Sequence, residues 1–213
     1  MKTRAVVAVV ILTAASVVGC QPALSPEALQ TYQNRTLYTC CNIHQESGYV
    51  SDANYDTGTI VPLGSTARVE AAGRNSVTIL ADGTKLTLSQ DYGRGQESFQ
   101  QYLDKVLVTD DPKARVASYS RSVQDAIRDG RVEKGMTKEQ VILSLGYPPT
   151  HRTPSTTSNV WTYWYNHFVT YQVAFDDTGT VSNVIGRPAP TQDQPVTQEV
   201  PRAAPTPAKK KRR

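Results

Sequence analysis

Acidic side chains are absent from residues 1–19, and aromatic side chains are absent from residues 188–213. Neither end supplies the mixture a packed core needs. A broad positive field is missing as well. The formal net charge is +4, yet residues 21–187 hold 15 Lys or Arg against 17 Asp or Glu. The basic excess sits at the two ends, so the folded part lacks the field that nucleic-acid binding requires. Beyond the N-terminus no apolar run reaches the ~18 residues of a bilayer-crossing helix. Histidine and cysteine are scarce, at three each, which leaves little material for metal centres or for thiol and imidazole catalysis. The remainder, 34–187, is long enough to bury a core, as two modest units rather than one large one.

What is present begins with Met1-Lys2-Thr3-Arg4, a short basic head, followed by an apolar run from Ala5 to Val18. This pattern is that of an export signal. Val17-Val18-Gly19-Cys20 resembles the lipobox of bacterial lipoproteins. The resemblance implies diacylglyceryl transfer to the Cys20 thiol, cleavage before it and N-acylation of the new terminus. Several acyl chains, at about 0.8 kcal/mol per buried CH₂, hold a protein on a membrane durably. Gln21, in place of Asp, favours the outer membrane under the sorting rule of enteric bacteria. Residues 20–33, with two prolines, read as a polar tether.

From 34 to about 90 the pattern is β. Runs occur at Leu37–Ile43, Gly58–Val61, Thr66–Ala71 and Ser76–Leu80, and Asp82-Gly83 is a strong hairpin signal before Leu86 and Leu88. Turn placement gives this stretch a resemblance to the bacterial SH3-like small barrels. Phe99, Tyr102, Leu103 and Val106 then fall on one helical stripe within 97–107. The predicted β-rich unit is 34–110, ending in that helix. Cys40 and Cys41 lie in its first strand. Adjacent cysteines do not readily bond to each other, and Cys-Cys-x-x-His44 fits no common zinc spacing. The residues therefore read as a buried apolar pair, and no metal and no cofactor is expected.

Downstream, Ser120–Asp129 reads as a helix stopped by Gly130. Thr137-Lys138-Glu139-Gln140 is a capping box that opens another helix, which ends at Gly146. Three strands follow: Val160–Tyr165, Val169–Phe175 and Val181–Ile185, the last two joined by an Asp-Asp-Thr-Gly turn. The order is α-α-β-β-β, so the fold class is α+β.

Gly135-Met136-Thr137, Leu145-Gly146-Tyr147-Pro148, Trp161-Thr162-Tyr163 and Phe175-Asp176-Asp177-Thr178-Gly179-Thr180-Val181 resemble the SmpA/OmlA (BamE-like) family over about 118–187. The resemblance implies a small lipoprotein domain that helps outer-membrane protein assembly or envelope integrity through protein and lipid contacts. It carries no catalytic residues over. Family members place that domain directly behind the lipidated cysteine, whereas here a long segment intervenes and a basic, Pro-rich tail, 188–213, follows.

Several residues remain as candidates for binding. Trp161 and Trp164 point to opposite sides of one strand, so one side is core and the other is either an open aromatic patch or a face covered by the N-terminal unit. Pro148, Pro149, His151 and Arg152 form a stiff loop after the helix stop. Lys209, Lys210, Lys211, Arg212 and Arg213 end the tail with a cation cluster suited to anionic lipid, lipopolysaccharide phosphate or peptidoglycan, or only to water. The function expected is that of a non-enzymatic lipoprotein on the outer membrane, facing the periplasm, with barrel-assembly proteins as partners. The rival is a cell-wall module gripping peptidoglycan with the SH3-like unit and tail. No nucleic-acid partner is expected.

Overall fold

Ser25 and Pro26 open a helix where a free tether was expected. The computed structural model describes residues 24–92 and 97–189. Cys20, Lys209–Arg213, the leader and nearly all of the tail lie outside them. Helix α1 (Pro26–Gln33) has Ser25 as N-cap, its hydroxyl accepting from Ala28 N, and proline in its first turn. It folds because it has something to bury. Leu24 and Tyr32 join the first core, and the Tyr32 hydroxyl donates to Asp104.

Strands β1 (Leu37–Thr39), β2 (Ile43–Gln45), β3 (Tyr49–Ser51), β4 (Thr59–Val61), β5 (Thr66–Ala72), β6 (Ser76–Ala81) and β7 (Thr84–Ser89) follow, then helix α2 (Phe99–Val106) and the short strand β8 (Leu107–Val108). Six of the strands form one sheet in the order β3-β7-β6-β5-β1-β8, and β2 pairs with β4 alone. The β3–β7 pair is parallel and the others are antiparallel. Strands β3 and β8 are the sheet's two ends, so it is a half-barrel. Asp82 and Gly83 both have positive φ, the backbone of a two-residue hairpin turn whose twist matches its strands. Alternate residues Val77, Ile79, Leu86 and Leu88 are buried with Phe99, Leu103 and Val106 of α2, as period two and period 3.6 require.

The expected continuous strand from Leu37 to Ile43 is broken. Cys40 and Cys41 are joined by a disulfide within the turn between β1 and β2. They are buried as expected, but they are not a pair of free thiols on a strand. The turn also brings Cys40 N to Val106 O at 2.9 Å.

The C-terminal unit contains α3 (Lys113–Val116), α4 (Arg121–Arg128), α5 (Lys138–Leu145), β9 (Val160–Trp164), β10 (Thr170–Phe175) and β11 (Val181–Ile185), the strands forming an antiparallel sheet in the order β11-β10-β9. The fold is α+β. Ala126, Ile127, Val141, Leu145, Trp161, Tyr163, Val173 and Phe175 belong to its core. The capping box is complete: Gln140 N donates to Thr137 Oγ1 at 3.3 Å and Thr137 N to Gln140 Oε1 at 2.9 Å. Thr137→Ala is therefore expected to lower stability by about 1 kcal/mol, measured by urea denaturation. A cost under about 0.3 kcal/mol would mean the cap does not hold α5.

Candidate interaction surface and the seam behind it

The last carbonyls of a helix have no partner inside it, and in α4 and α5 the N-terminal unit supplies some of those partners. Asn42 Nδ2 donates to Ile127 O at 2.6 Å and to Ser144 O at 3.1 Å, and Asn42 N donates to Leu143 O at 3.1 Å. Asn54 Nδ2 donates to Leu145 O at 2.7 Å, while its Oδ1 accepts from His44 N at 2.7 Å. Two buried amides thus join the units by completing helix ends, which accounts for polar side chains in an interior.

A buried ion pair lies in the same seam. Asp56 Oδ2 is 2.9 Å from Arg187 Nη2, with the carboxylate side chain 2% exposed and the arginine 23%. Arg187 also donates to Gly130 O at 2.8 Å and stands over the Tyr171 ring. Neither Asp56 oxygen has a well-aligned hydrogen bond. Burial therefore outweighs the pull of Arg187 and of the Tyr171 hydroxyl, and the carboxyl is raised to about 6. His44, whose spacing from the cysteines fits no common zinc pattern, is buried in the same seam. Burial lowers it to about 4, against the opposing effect of Asn54 and with a smaller push from Arg187.

Trp164 is not on an open face. It is 8% exposed and packs with Ala53, Tyr55 and Tyr92. Its two ring neighbours from the N-terminal unit are Tyr55, edge-on at 6.3 Å, and Tyr92, stacked at 5.9 Å. Of the two alternatives left by alternation, the structure has the covered face. The physical reason is that Tyr55 and Tyr92 bring enough apolar area to close it. Trp161 is fully buried in the C-terminal core. Pro148 and Pro149 are buried, and Pro149 O accepts from Arg152 N and Thr153 N, each at 2.9 Å. His151 stacks on Tyr92 at 4.2 Å and its Nε2 accepts from Trp164 Nε1 at 3.2 Å. Burial, then Arg152, lowers its pKa. Arg152 is exposed, 4.8 Å above the Trp164 ring. The loop and the tryptophans are thus brought together, but only Arg152 among them is freely presented to solvent.

What the chain does present is the turn between β9 and β10. Asn166 Oδ1 accepts from Phe168 N and Val169 N, each at 2.9 Å, which fixes the turn's backbone. His167 is held by Glu46 at 3.0 Å and lies on the Tyr55 ring at 4.0 Å. Phe168, between these anchored neighbours, is 92% exposed. The one sequence signal for it was a large apolar residue inside a polar turn.

Among the described residues no three His, Cys, Asp or Glu side chains stand together as a metal site, and no helix is long and apolar enough to cross a membrane. The class defined is an α+β chain whose half-barrel is fused, through a polar seam, to a helix-and-meander unit bearing a rigid exposed turn. Residues 129–185 match the family model of the Outer membrane protein assembly factor BamE domain, in agreement with the SmpA/OmlA resemblance of the C-terminal part. No curated protein and no solved structure matches the chain.

Proposed function

We propose that the protein is a non-enzymatic lipoprotein acting in outer-membrane protein assembly or envelope integrity. It is anchored to the outer membrane by acyl groups on Cys20 and faces the periplasm. The observation that carries this is the BamE-domain match over 129–185. The basic head, apolar run and Cys20 support the anchor. The rigid turn supplies the contact to a barrel-assembly protein, with Phe168 as its apolar anchor and exposed Arg152 as a second contact. Lys209, Lys210, Lys211, Arg212 and Arg213 lie on an anionic lipid or peptidoglycan surface, each contributing about 1 kcal/mol.

Two measurements test this. Mass spectrometry of the mature product should find an acylated residue 20 at its start; an intact Met1 would remove the anchor. Co-purification from detergent-solubilised outer membrane should recover barrel-assembly subunits, and recovery of none would refute the assembly role. Phe168→Ser should leave stability within about 0.5 kcal/mol of wild type while lowering that recovery about tenfold or more. Undiminished recovery would move the contact away from the turn.

A further inference from the structure

The two residues of the Cys40–Cys41 disulfide have different surroundings. Cys41 is 1% exposed, deep in the first core. Cys40 forms part of the wall of a cleft of about 380 Å³, together with Ile142, Tyr147 and Trp161 of the C-terminal unit. That volume admits a small molecule or a slender side chain. Its charged wall residues are Asp110, Arg115, Lys138 and Glu139, two acids and two bases, so size rather than charge governs entry. The cleft touches the seam at a sensitive point, because Asn42 follows Cys41 directly and completes the ends of α4 and α5.

We infer that this disulfide is a thiol-exchange site entered through the cleft, and that its redox state sets how firmly Asn42 ties the two units. The reagent class is a small dithiol. One of its thiolates attacks Cys40 Sγ, a new sulfur–sulfur bond forms, the Cys40–Cys41 bond breaks, and Cys41 leaves as a thiolate that takes up a proton. The second thiolate of the reagent then attacks the reagent's own sulfur in the mixed disulfide. It closes the oxidised reagent and releases Cys40 as a thiolate, which is also protonated. Two electrons and two protons pass from the dithiol to the protein. Access through the cleft directs attack to Cys40, although buried Cys41 is the poorer leaving group. The Cys41 thiolate stays beside the mixed disulfide and re-forms the bond unless it is trapped or the reagent's second thiolate intervenes, so a dithiol completes the reduction. Once reduced, the turn loses its covalent closure, and Asn42 is presented by a freer backbone.

The test uses the full chain in its native state. Glutathione pulses quenched with N-ethylmaleimide trap the first step, and fragment-ion mass spectrometry should place glutathione on Cys40 and maleimide on Cys41 with about tenfold preference. Filling the cleft with Ile142→Trp, or from its rim with Thr156→Trp should the first not fold, should slow reduction by dithiothreitol about tenfold. Exchange of the Asn42 amide hydrogen should quicken about tenfold on reduction. Equal labelling of the two sulfurs, or unaltered reduction in the filled variant, overturns the site. Unchanged exchange at Asn42 overturns its coupling to the seam.

Discussion

Arg187→Ala is expected to cost about 2 kcal/mol near pH 7.5 and little near pH 5. The substitution strands a carboxylate. Asp56 is almost wholly buried, and Arg187 is its ion-pair partner at 2.9 Å. Removing one member of a buried pair costs more than the pair itself contributes, because the remaining charge stays desolvated. The sign with pH follows from the raised carboxyl. Its folded value is about 6, above the ~3.9 of an unfolded chain. The stability tied to the protonated form is therefore fully present below the unfolded value and is lost as pH rises through about 6, a change of about 3 kcal/mol. Without Arg187 the folded value climbs further, so the loss continues to higher pH. Wild type and variant thus diverge only above about pH 6. Urea denaturation at the two pH values measures this, and an equal cost at both would show that Asp56 is not the group Arg187 serves. The double variant Asp56→Asn, Arg187→Ala should recover most of the loss.

His44 acts in the opposite sense. Burial lowers its folded value to about 4, below the ~6.5 of a free imidazole. Its contribution is fully present above that free value and declines as pH falls through the interval. Asp56 gains over nearly the same interval, so the two slopes largely cancel in wild type. A flat wild-type profile is therefore compatible with two strongly perturbed buried groups, and only the variants separate them.

Legibility in the sequence followed the range of the interactions involved. The Thr137–Gln140 box, the Asp82-Gly83 turn and the alternation in β9 and β10 are local, and each reads directly from neighbouring letters. Helix α1 was missed because two prolines and few large apolar residues resemble a tether, and its order comes from Tyr32 reaching Asp104, far along the chain. Strand β3 was missed because it is three residues long and pairs in parallel with a distant strand. The seam was invisible for the same reason. Asn42, Asn54, Asp56 and Arg187 form no motif, and their roles depend on which helix ends the fold places beside them. Alternation showed that Trp164 and Trp161 face apart, but only the three-dimensional packing shows Tyr55 and Tyr92 covering the former.

Gly146→Ala is the second large effect expected, about 3–5 kcal/mol, against about 1 kcal/mol for the same change at Gly135 or Gly179. All three glycines have positive φ, so the comparison reads what the extended ψ and the crowding at Gly146 add together beyond a positive φ. Gly146 ends α5 at φ 79°, ψ 179°, a region in which a side chain costs about 1–3 kcal/mol by itself. A Cβ there would also lie 2.6 Å from Asn54 Nδ2 and 3.3 Å from Asn42 O, whereas at Gly135 and Gly179 nothing lies within 4 Å. The Asn54 amide has no cheap way to retreat. Its nitrogen holds Leu145 O, its oxygen holds His44 N, and both groups are buried. Any shift leaves polar atoms of the seam without partners, at about 1–3 kcal/mol for each. Chemical denaturation of the three alanine variants side by side measures the difference. If Gly146→Ala costs no more than the other two, Asn54 moves freely, and its amide is not what ties the end of α5 to the N-terminal unit.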